Sequence, residues 1–409
     1  MNTQERYEAY SLGNYAVPPA ISIVEGQGAY VWDEARRRYL DMTSGIAVTA
    51  LGHSHPAWVK AVQEQAATLS HCSNIFGNPN QAKLAEKLVE KAGPGRVFFC
   101  NSGAEANETL IKFARLWGYK QSGEVEGQKY KIVVADTAFH GRTFGGMSAT
   151  PQPKIQKGFG PLLPGFTVAK YNDIESFENA IDAQTAAVFI ETIQGEGGIR
   201  PFQLEFLRKL RALCTKKNVL MLIDEVQCGI ARTGKFFAYQ HAEIKPDAIG
   251  MAKGLGNGFP IGAVWISEPY HSVFTPGTHG TTFGGSPLAS SAALATLNTI
   301  EAEDLISRVN TLGPWLFEEL EAIKSEFPDL IHEIRGRGFM IAIAIYGDPI
   351  PWMARFREAG MLVVTAGNGA IRLLPPLTAS QESLKQALSI LRSTFKKHVQ
   401  NAETEAHHD

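Results

Sequence analysis

The stretch Asp247–Ser267, DAIGMAKGLGNGFPIGAVWIS, sets one lysine, Lys253, among glycines and between two apolar runs. A lysine is ordinarily kept on a solvated face. Here the flanking runs AIGM and GAVWIS read as short buried strands, and the glycines between them as a loop at a sheet's end. A lysine taken out of water loses part of its basicity and becomes a nucleophile. The fold follows from asking what else ends in the same place.

Upstream, RVFFC (Arg96–Cys100), KIVVA (Lys131–Ala135), AAVFIE (Ala186–Glu191) and VLMLIDE (Val219–Glu225) read as further strands. Helical patterns alternate with some of them. In AEANETLIKFARLWGYK, residues Ala106, Leu110, Phe113, Ala114 and Trp117 fall on one helical face, and LEFLRKLRALCTKK is a second such segment. This alternation predicts an α/β protein with a mostly parallel sheet covered by helices. Ligands of such sheets bind beyond the carboxyl ends of the strands, so the residues just past each strand matter most.

After Gly313 the pattern changes. A helix over PWLFEELEAIKSEF, the run IHEIRGRGFMIAIAIYG, a helix near Pro351–Ala359, a strand pair in GMLVVTAGNGAIRLLPPL and a last helix predict a smaller α+β lobe. The first fifty residues read as a strand meander, and the polar tail NAETEAHHD as frayed.

At 409 residues the chain is long enough for a large core and more than one domain. A net charge of −2 gives no basic field for nucleic acid or an anionic membrane. No apolar run approaches the roughly 20 residues of a membrane span. The start, MNTQERYEAY, does not read as a signal peptide. Cys72, Cys100, Cys214 and Cys228 are scattered, with no CxxC pair; this points to reduced thiols in a cytoplasmic protein and not to a zinc site.

Past RVFFC come Ser102, Gly103 and Ala104, opening a helix. This turn is either a plain N-cap or a cradle for phosphate on free backbone N–H groups. Past KIVVA come Phe139, His140 and Arg142: an aromatic that can stack on a planar ligand and a guanidinium that can take a carboxylate. Past AAVFI, the loop ETIQGEGG carries Glu191 and Glu196. VLMLI ends in Asp224 and Glu225, and a charge at the end of a buried strand needs a partner. GIARTGK (Gly229–Lys235) matches part of a nucleotide-binding P-loop, but Phe236 stands where Mg²⁺ binding needs Ser or Thr, and the acidic strand runs straight into it. Pyridoxal phosphate (PLP) needs a lysine for its aldehyde, an acid for its pyridinium nitrogen, a phosphate cradle and a ring sandwich. Lys253, Asp224, the Ser102–Ala104 turn and Phe139 supply all four.

The stretches NSGAEANE, FHGRT, ETIQGEGG, LIDEVQCGIARTGKFFA, MAKGLGNGFPIGA, HGTTFGGSPLA and IRLLPPL resemble, in this order and over nearly the whole chain, the class III (subgroup II) PLP-dependent aminotransferases. The resemblance implies fold-type I: an N-terminal segment (1–50) packing with the small domain, a large PLP-binding domain (51–306), a small C-terminal domain (307–409), and a homodimer with shared active sites. It implies that Lys253 and Asp224 are catalytic. It places Ser102, Gly103, Ala104, Phe139, His140, Glu225, Val226 and Gln227 around the cofactor, with Thr282 delivered from the neighbouring subunit. It implies Arg142 for the distal substrate carboxylate, Arg372 for glutamate's α-carboxylate, and Glu196 as the switchable partner of Arg372. Thr281, Tyr15 and Ile46 would border the substrate. Ser286 stands where the family usually has Asn. The implied reaction moves the δ-amino group of N-acetylornithine to 2-oxoglutarate, in arginine biosynthesis. Ornithine, N-succinylornithine or 4-aminobutyrate as donor, and an aminomutase or racemase, are the alternatives; Ile46, where ornithine-specific members carry Tyr, leans toward an acylated donor.

Overall fold

The computed structural model describes residues 1–15 and 20–406. Its centre is a seven-stranded sheet of β1 (Gly95–Cys100), β2 (Lys131–Ala135), β3 (Phe166–Ala169), β4 (Thr185–Glu191), β5 (Leu220–Asp224), β6 (Ala248–Met251) and β7 (Gly262–Ser267), in the spatial order β1-β7-β6-β5-β4-β2-β3. All neighbours are parallel except β7, which runs antiparallel to β1 and β6. Every residue of β4 and β5 is buried, which is why both strands read as unbroken apolar runs instead of alternating ones.

Helix α1 (Gly103–Gln121) packs on one face of this sheet, burying Ala106, Leu110, Phe113, Ala114 and Trp117 as their spacing predicts. Ser102 caps it: its Oγ accepts from the Glu105 N–H at 3.1 Å. Gly118 is buried on the same face, where an added Cβ would be driven into the Lys129 carbonyl.

The N-terminal meander exists: strands Ile23–Gln27, Tyr30–Asp33 and Arg38–Asp41 pair antiparallel. It takes its fourth strand, Met361–Leu362, from the C-terminal part of the chain, parallel to Arg38–Asp41. A second four-stranded antiparallel sheet is built from Ile331–Arg337, Met340–Ile345, Ala370–Leu373 and Val364–Ala366. Three helices, Leu305–Glu326, Ile350–Glu358 and Gln381–Ala406, accompany it.

Two expectations change. The first of these helices begins at Leu305 and runs through Pro314, well before the expected start. Proline forfeits one backbone hydrogen bond there. Burial of Leu305, Val309, Leu316 and Leu320 along one side holds the helix continuous, and Gly313 lets it lie against Gly338, where a Cβ would meet the Gly338 Cα at 3.2 Å. The last helix continues to Ala406, into the tail expected to fray. Among the described residues no helix is long and apolar enough to cross a membrane.

Alanine in place of glycine ordinarily favours a helix by about 1 kcal/mol. Gly118→Ala should do the reverse, because overpacking against backbone costs about 1–3 kcal/mol. A lowered thermal midpoint is the expected result; a raised one would mean that the contact between α1 and the Lys129 segment yields freely.

Candidate functional site

A cavity of about 380 Å³ opens beyond the carboxyl ends of the strands, where a parallel sheet places its ligands. The end of β5 sets its floor. Asp224 is buried, and three donors from different parts of the chain fix its carboxylate. The Val226 N–H donates to Oδ1 at 2.9 Å; the Asn107 side-chain amide and the His140 ring nitrogen Nδ1 meet Oδ2 at 2.7 and 2.9 Å. The His140 ring is stacked on Phe189, with centroids 3.9 Å apart. Asn107 Oδ1 and His140 Nε2 are buried without a partner.

Lys253 follows β6 and lines the same cavity. Its φ of 44° is left-handed, a conformation a non-glycine residue keeps only where its surroundings impose it. Burial lowers the pKa of its amine to about 8; Glu196 pulls it back up and Arg372 pushes it down. Gly103 and Ala104 open α1 at the cavity wall, with first-turn N–H groups that no helix can satisfy internally. A Cβ on Gly103 would stand 2.7 Å from Val226 Cγ1, so only glycine leaves that cradle open.

Phe139, Val226 and Arg142 also line the cavity, the Arg142 guanidinium 5.8 Å from the centre of the Phe139 ring. Glu191, at the end of β4, accepts from the Phe139 N–H at 3.1 Å and the Gly195 N–H at 3.0 Å. Burial, then the nearby Asp224, push its carboxyl well above the usual range.

Arg372 lies on strand Ala370–Leu373 and is 1% exposed, yet it reaches the Glu191–Glu196 loop. Its Nη1 donates to Glu196 Oε1 at 2.6 Å and to Gln227 Oε1 at 3.0 Å. Its Nε is buried and unpaired. Burial raises the Glu196 pKa, but the Arg372 guanidinium outweighs it and holds the carboxyl below its ordinary value.

Not every expected residue reaches the cavity. The Glu225 carboxylate accepts from the Ala238 and Tyr239 N–H groups, both at 2.9 Å, and burial raises its pKa to about 7. It braces a loop instead of bordering the cavity. Tyr15 is 83% exposed. Ile46 sits in a left-handed turn, Ser44–Ala47, with φ of 47°, 62°, 65° and 63°, packed among Ile193, Ile199 and Cys228. Its neighbour Val48 lines the cavity. Thr281 Oγ1 accepts from the Asn101 amide at 3.1 Å, while Thr282 is exposed. Ser286 caps the helix Pro287–Ala302. GIARTGK is no phosphate loop: Arg232 within it is buried, donating to the carbonyls of Pro375 and Phe339.

Asn107, Val48 and Asn101 were missed. Asn107 had a signal, since it lies four residues beyond Gly103 and therefore on the same helical face. Val48 had none, because only the left-handed turn brings it there.

The family description Aminotransferase class-III matches residues 12–395. The acetylornithine aminotransferase of Gloeobacter violaceus is 44% identical over 97% of this chain and 98% of its own. Among solved structures, the ornithine aminotransferase of Toxoplasma gondii superposes with a TM-score of 0.93 at 34% identity, covering 98% of this chain and 97% of that one. The acetylornithine aminotransferase of Elizabethkingia anophelis gives 0.85 at 34% identity over 96% and 98%. With its lysine, acid and open helix terminus converging at the ends of a fold-type I sheet, the chain belongs to the class-III aminotransferases.

Proposed function

We propose that the protein transfers the δ-amino group of N-acetylornithine to 2-oxoglutarate within arginine biosynthesis; the acetylornithine aminotransferases among its relatives support that donor. Members of the family are PLP-dependent, and the cavity suits that cofactor. The cradle at Gly103 is one that a Cβ would fill, the Asp224 carboxylate is held rigidly, and Lys253 stands on the wall. The cofactor supplies an aldehyde that combines with amines and a ring that takes up the electron pair left when a substrate C–H bond breaks.

The chain's own residues do the rest. Lys253 would hold the aldehyde between turnovers. Once a substrate amine displaces it, Nζ would be the base that takes the proton from the amine-bearing carbon and delivers it to the carbon that carried the cofactor's aldehyde. Asp224 would face the ring nitrogen, with Asn107 and His140 fixing its direction. Phe139 and Val226 would flank the ring, and the Ser102–Ala104 turn would hold the phosphate.

The observation that carries the two-substrate reading is Arg372 buried against Glu196 at 2.6 Å. A buried guanidinium must be neutralised. Glu196 does this while the donor, which brings no carboxylate to that spot, is bound. When glutamate binds, its α-carboxylate takes over, and the unpaired Nε of Arg372 offers it a second donor. Arg142 would take the distal carboxylate. The acylated donor is favoured over the free ornithine named for the Toxoplasma gondii relative by the curated relatives named acetylornithine aminotransferases.

The proposal includes a second copy. Asn74 donates to the Thr281 and Gly284 carbonyls, bringing exposed Ile75, Phe76 and Phe283 beside Thr282. Dimerisation would cover these apolar side chains and carry Thr282 to the partner's phosphate site.

Lys253→Ala should lower turnover by about 10³-fold or more; turnover near the parent level would remove Lys253 from the chemistry. In the cofactor-free chain, capture of an aldehyde should rise with pH around a midpoint near 8. An ordinary lysine would keep gaining up to about 10.4. Between these values the unfolded chain binds the extra proton, so this group's contribution to stability grows as pH rises. A capture midpoint near 10 would contradict the burial of the amine.

Glu196→Gln leaves Arg372 without its counter-charge. The half-reaction with N-acetylornithine should slow relative to that with glutamate by about tenfold or more, read as single-turnover loss of the cofactor's visible absorbance. An unchanged ratio would remove Glu196 from the exchange. Bleaching by free ornithine or 4-aminobutyrate faster than by N-acetylornithine would replace the donor and leave the rest standing.

A further inference from the structure

The loop that carries Glu196 is held by the hairpin that carries Arg372 and by strand Ile331–Arg337 of the same sheet. Three consecutive carbonyls, those of Glu196, Gly197 and Gly198, each accept a hydrogen bond from the C-terminal sheet. The donors are the Gly367 N–H at 2.9 Å, the Asn368 side-chain amide at 2.8 Å and Arg335 Nε at 2.7 Å. Arg335 Nη2 also reaches the Asn368 carbonyl at 3.3 Å, and its Nη1 is anchored on Glu333 at 2.6 Å. The contact is tight: a Cβ on Gly198, where φ is 111°, would run into the Gly367 carbonyl. Gly367–Gly369 is the turn between strands Val364–Ala366 and Ala370–Leu373, and the second strand carries Arg372. One hairpin therefore grips Glu196 by its backbone and meets it by its side chain.

We infer that Asn368 and Arg335 are positioning residues for the Glu196–Arg372 pair, and that they set the enzyme's discrimination between its two amino donors. The inference rests on the exchange proposed above. With the backbone of residues 196–198 pinned, Glu196 can leave Arg372 only by turning its side chain, and it returns to the same place. Loosening the grip weakens the counter-charge without removing it. The donor that needs Arg372 neutralised then suffers, while glutamate, which needs Arg372 free, does not.

The test uses the holoenzyme with Asn368→Gly, which keeps the left-handed backbone (φ 55°) and removes only the side-chain donor, and Arg335→Lys, which keeps the charge and removes the fork. Each should lower the ratio of N-acetylornithine to glutamate half-reaction rates by about three- to tenfold. In the Glu196→Gln background the same substitutions should leave the ratio unmoved, because the group they position is gone. Amide hydrogen exchange at Gly198 and Ile199 should quicken in Asn368→Gly. Equal losses in both half-reactions, or the same ratio shift with and without Glu196, would overturn the inference and leave a merely structural contact. If Glu196→Gln itself leaves the ratio unchanged, the exchange reading fails first. If Glu196→Gln shifts it and the Asn368 and Arg335 variants do not, the positioning inference alone fails.

Discussion

A carboxylate at the end of a strand buried on both faces cannot be left to water, and the architecture of the site answers that requirement at Asp224. The strand β5 is apolar throughout until its last residue. To place an acid there, the fold brings Asn107 from α1, His140 from the segment after β2, and the Val226 N–H. Each of these ties a separate part of the chain to one pair of oxygens. Asn107 is one helical turn from Gly103, so anchoring Asp224 also sets where the free N–H groups of α1 point. His140 follows Phe139 directly, so the same carboxylate locates the aromatic wall. Unpaired burial of such a group costs several kcal/mol, which makes the arrangement hard to distort.

Much of this was legible in the sequence. Strands buried on both faces announce themselves as continuous apolar runs, α1 as a helical stripe, and the rule that ligands sit past strand ends singled out Lys253, Asp224, Gly103 and Phe139. What escaped depends on direction or distance. Glu225 neighbours Asp224, but successive side chains of an extended chain point to opposite sides, so the acid beside a site acid faces the Ala238–Tyr239 amides. The left-handed turn Ser44–Ala47 has no propensity to betray it: three of its four residues carry a Cβ, and its shape comes from Asp41, whose Oδ1 accepts from the Thr43 N–H and hydroxyl at 2.8 and 2.7 Å and from the Ser44 N–H at 3.2 Å. The helix through Pro314 starts at Leu305 because burial of Leu305 and Val309 holds its first turns in place, and that burial depends on packing partners remote in sequence. The grip of Asn368 and Arg335 on residues 196–198 joins segments more than a hundred residues apart, through carbonyls that every sequence possesses.

Left-handed backbone occurs at the cavity wall and just before it. Lys253, Ser44, Ile46 and Ala47 hold positive φ values that cost of order 1–3 kcal/mol each. Both segments lie where an ordinary turn would aim the side chain elsewhere. At Lys253 the cost secures an amine on the cavity wall; at Ser44–Ala47 it carries the N-terminal segment against Ile193 and Ile199, beside the loop of Glu196.

The charges of the site are coupled in a way that suits a reaction run in two halves by one base. Lys253 feels Glu196 and Arg372 in opposite senses: the carboxylate raises its pKa and the guanidinium lowers it. Were Glu196 simply to swing away, the lysine would lose the anion that supports it most while the guanidinium remained. In the proposed exchange, glutamate would prevent this by bringing a carboxylate to Arg372 as Glu196 leaves. The sum of charge facing Lys253 would then stay nearly constant, and the amine would keep the same strength whether the proton came from Cδ of one substrate or Cα of the other. A fixed loop backbone would serve this end, because a side chain turning about a pinned Cα would move its charge by only a few ångströms and stay within the reach of the lysine's field at the low dielectric of a buried site.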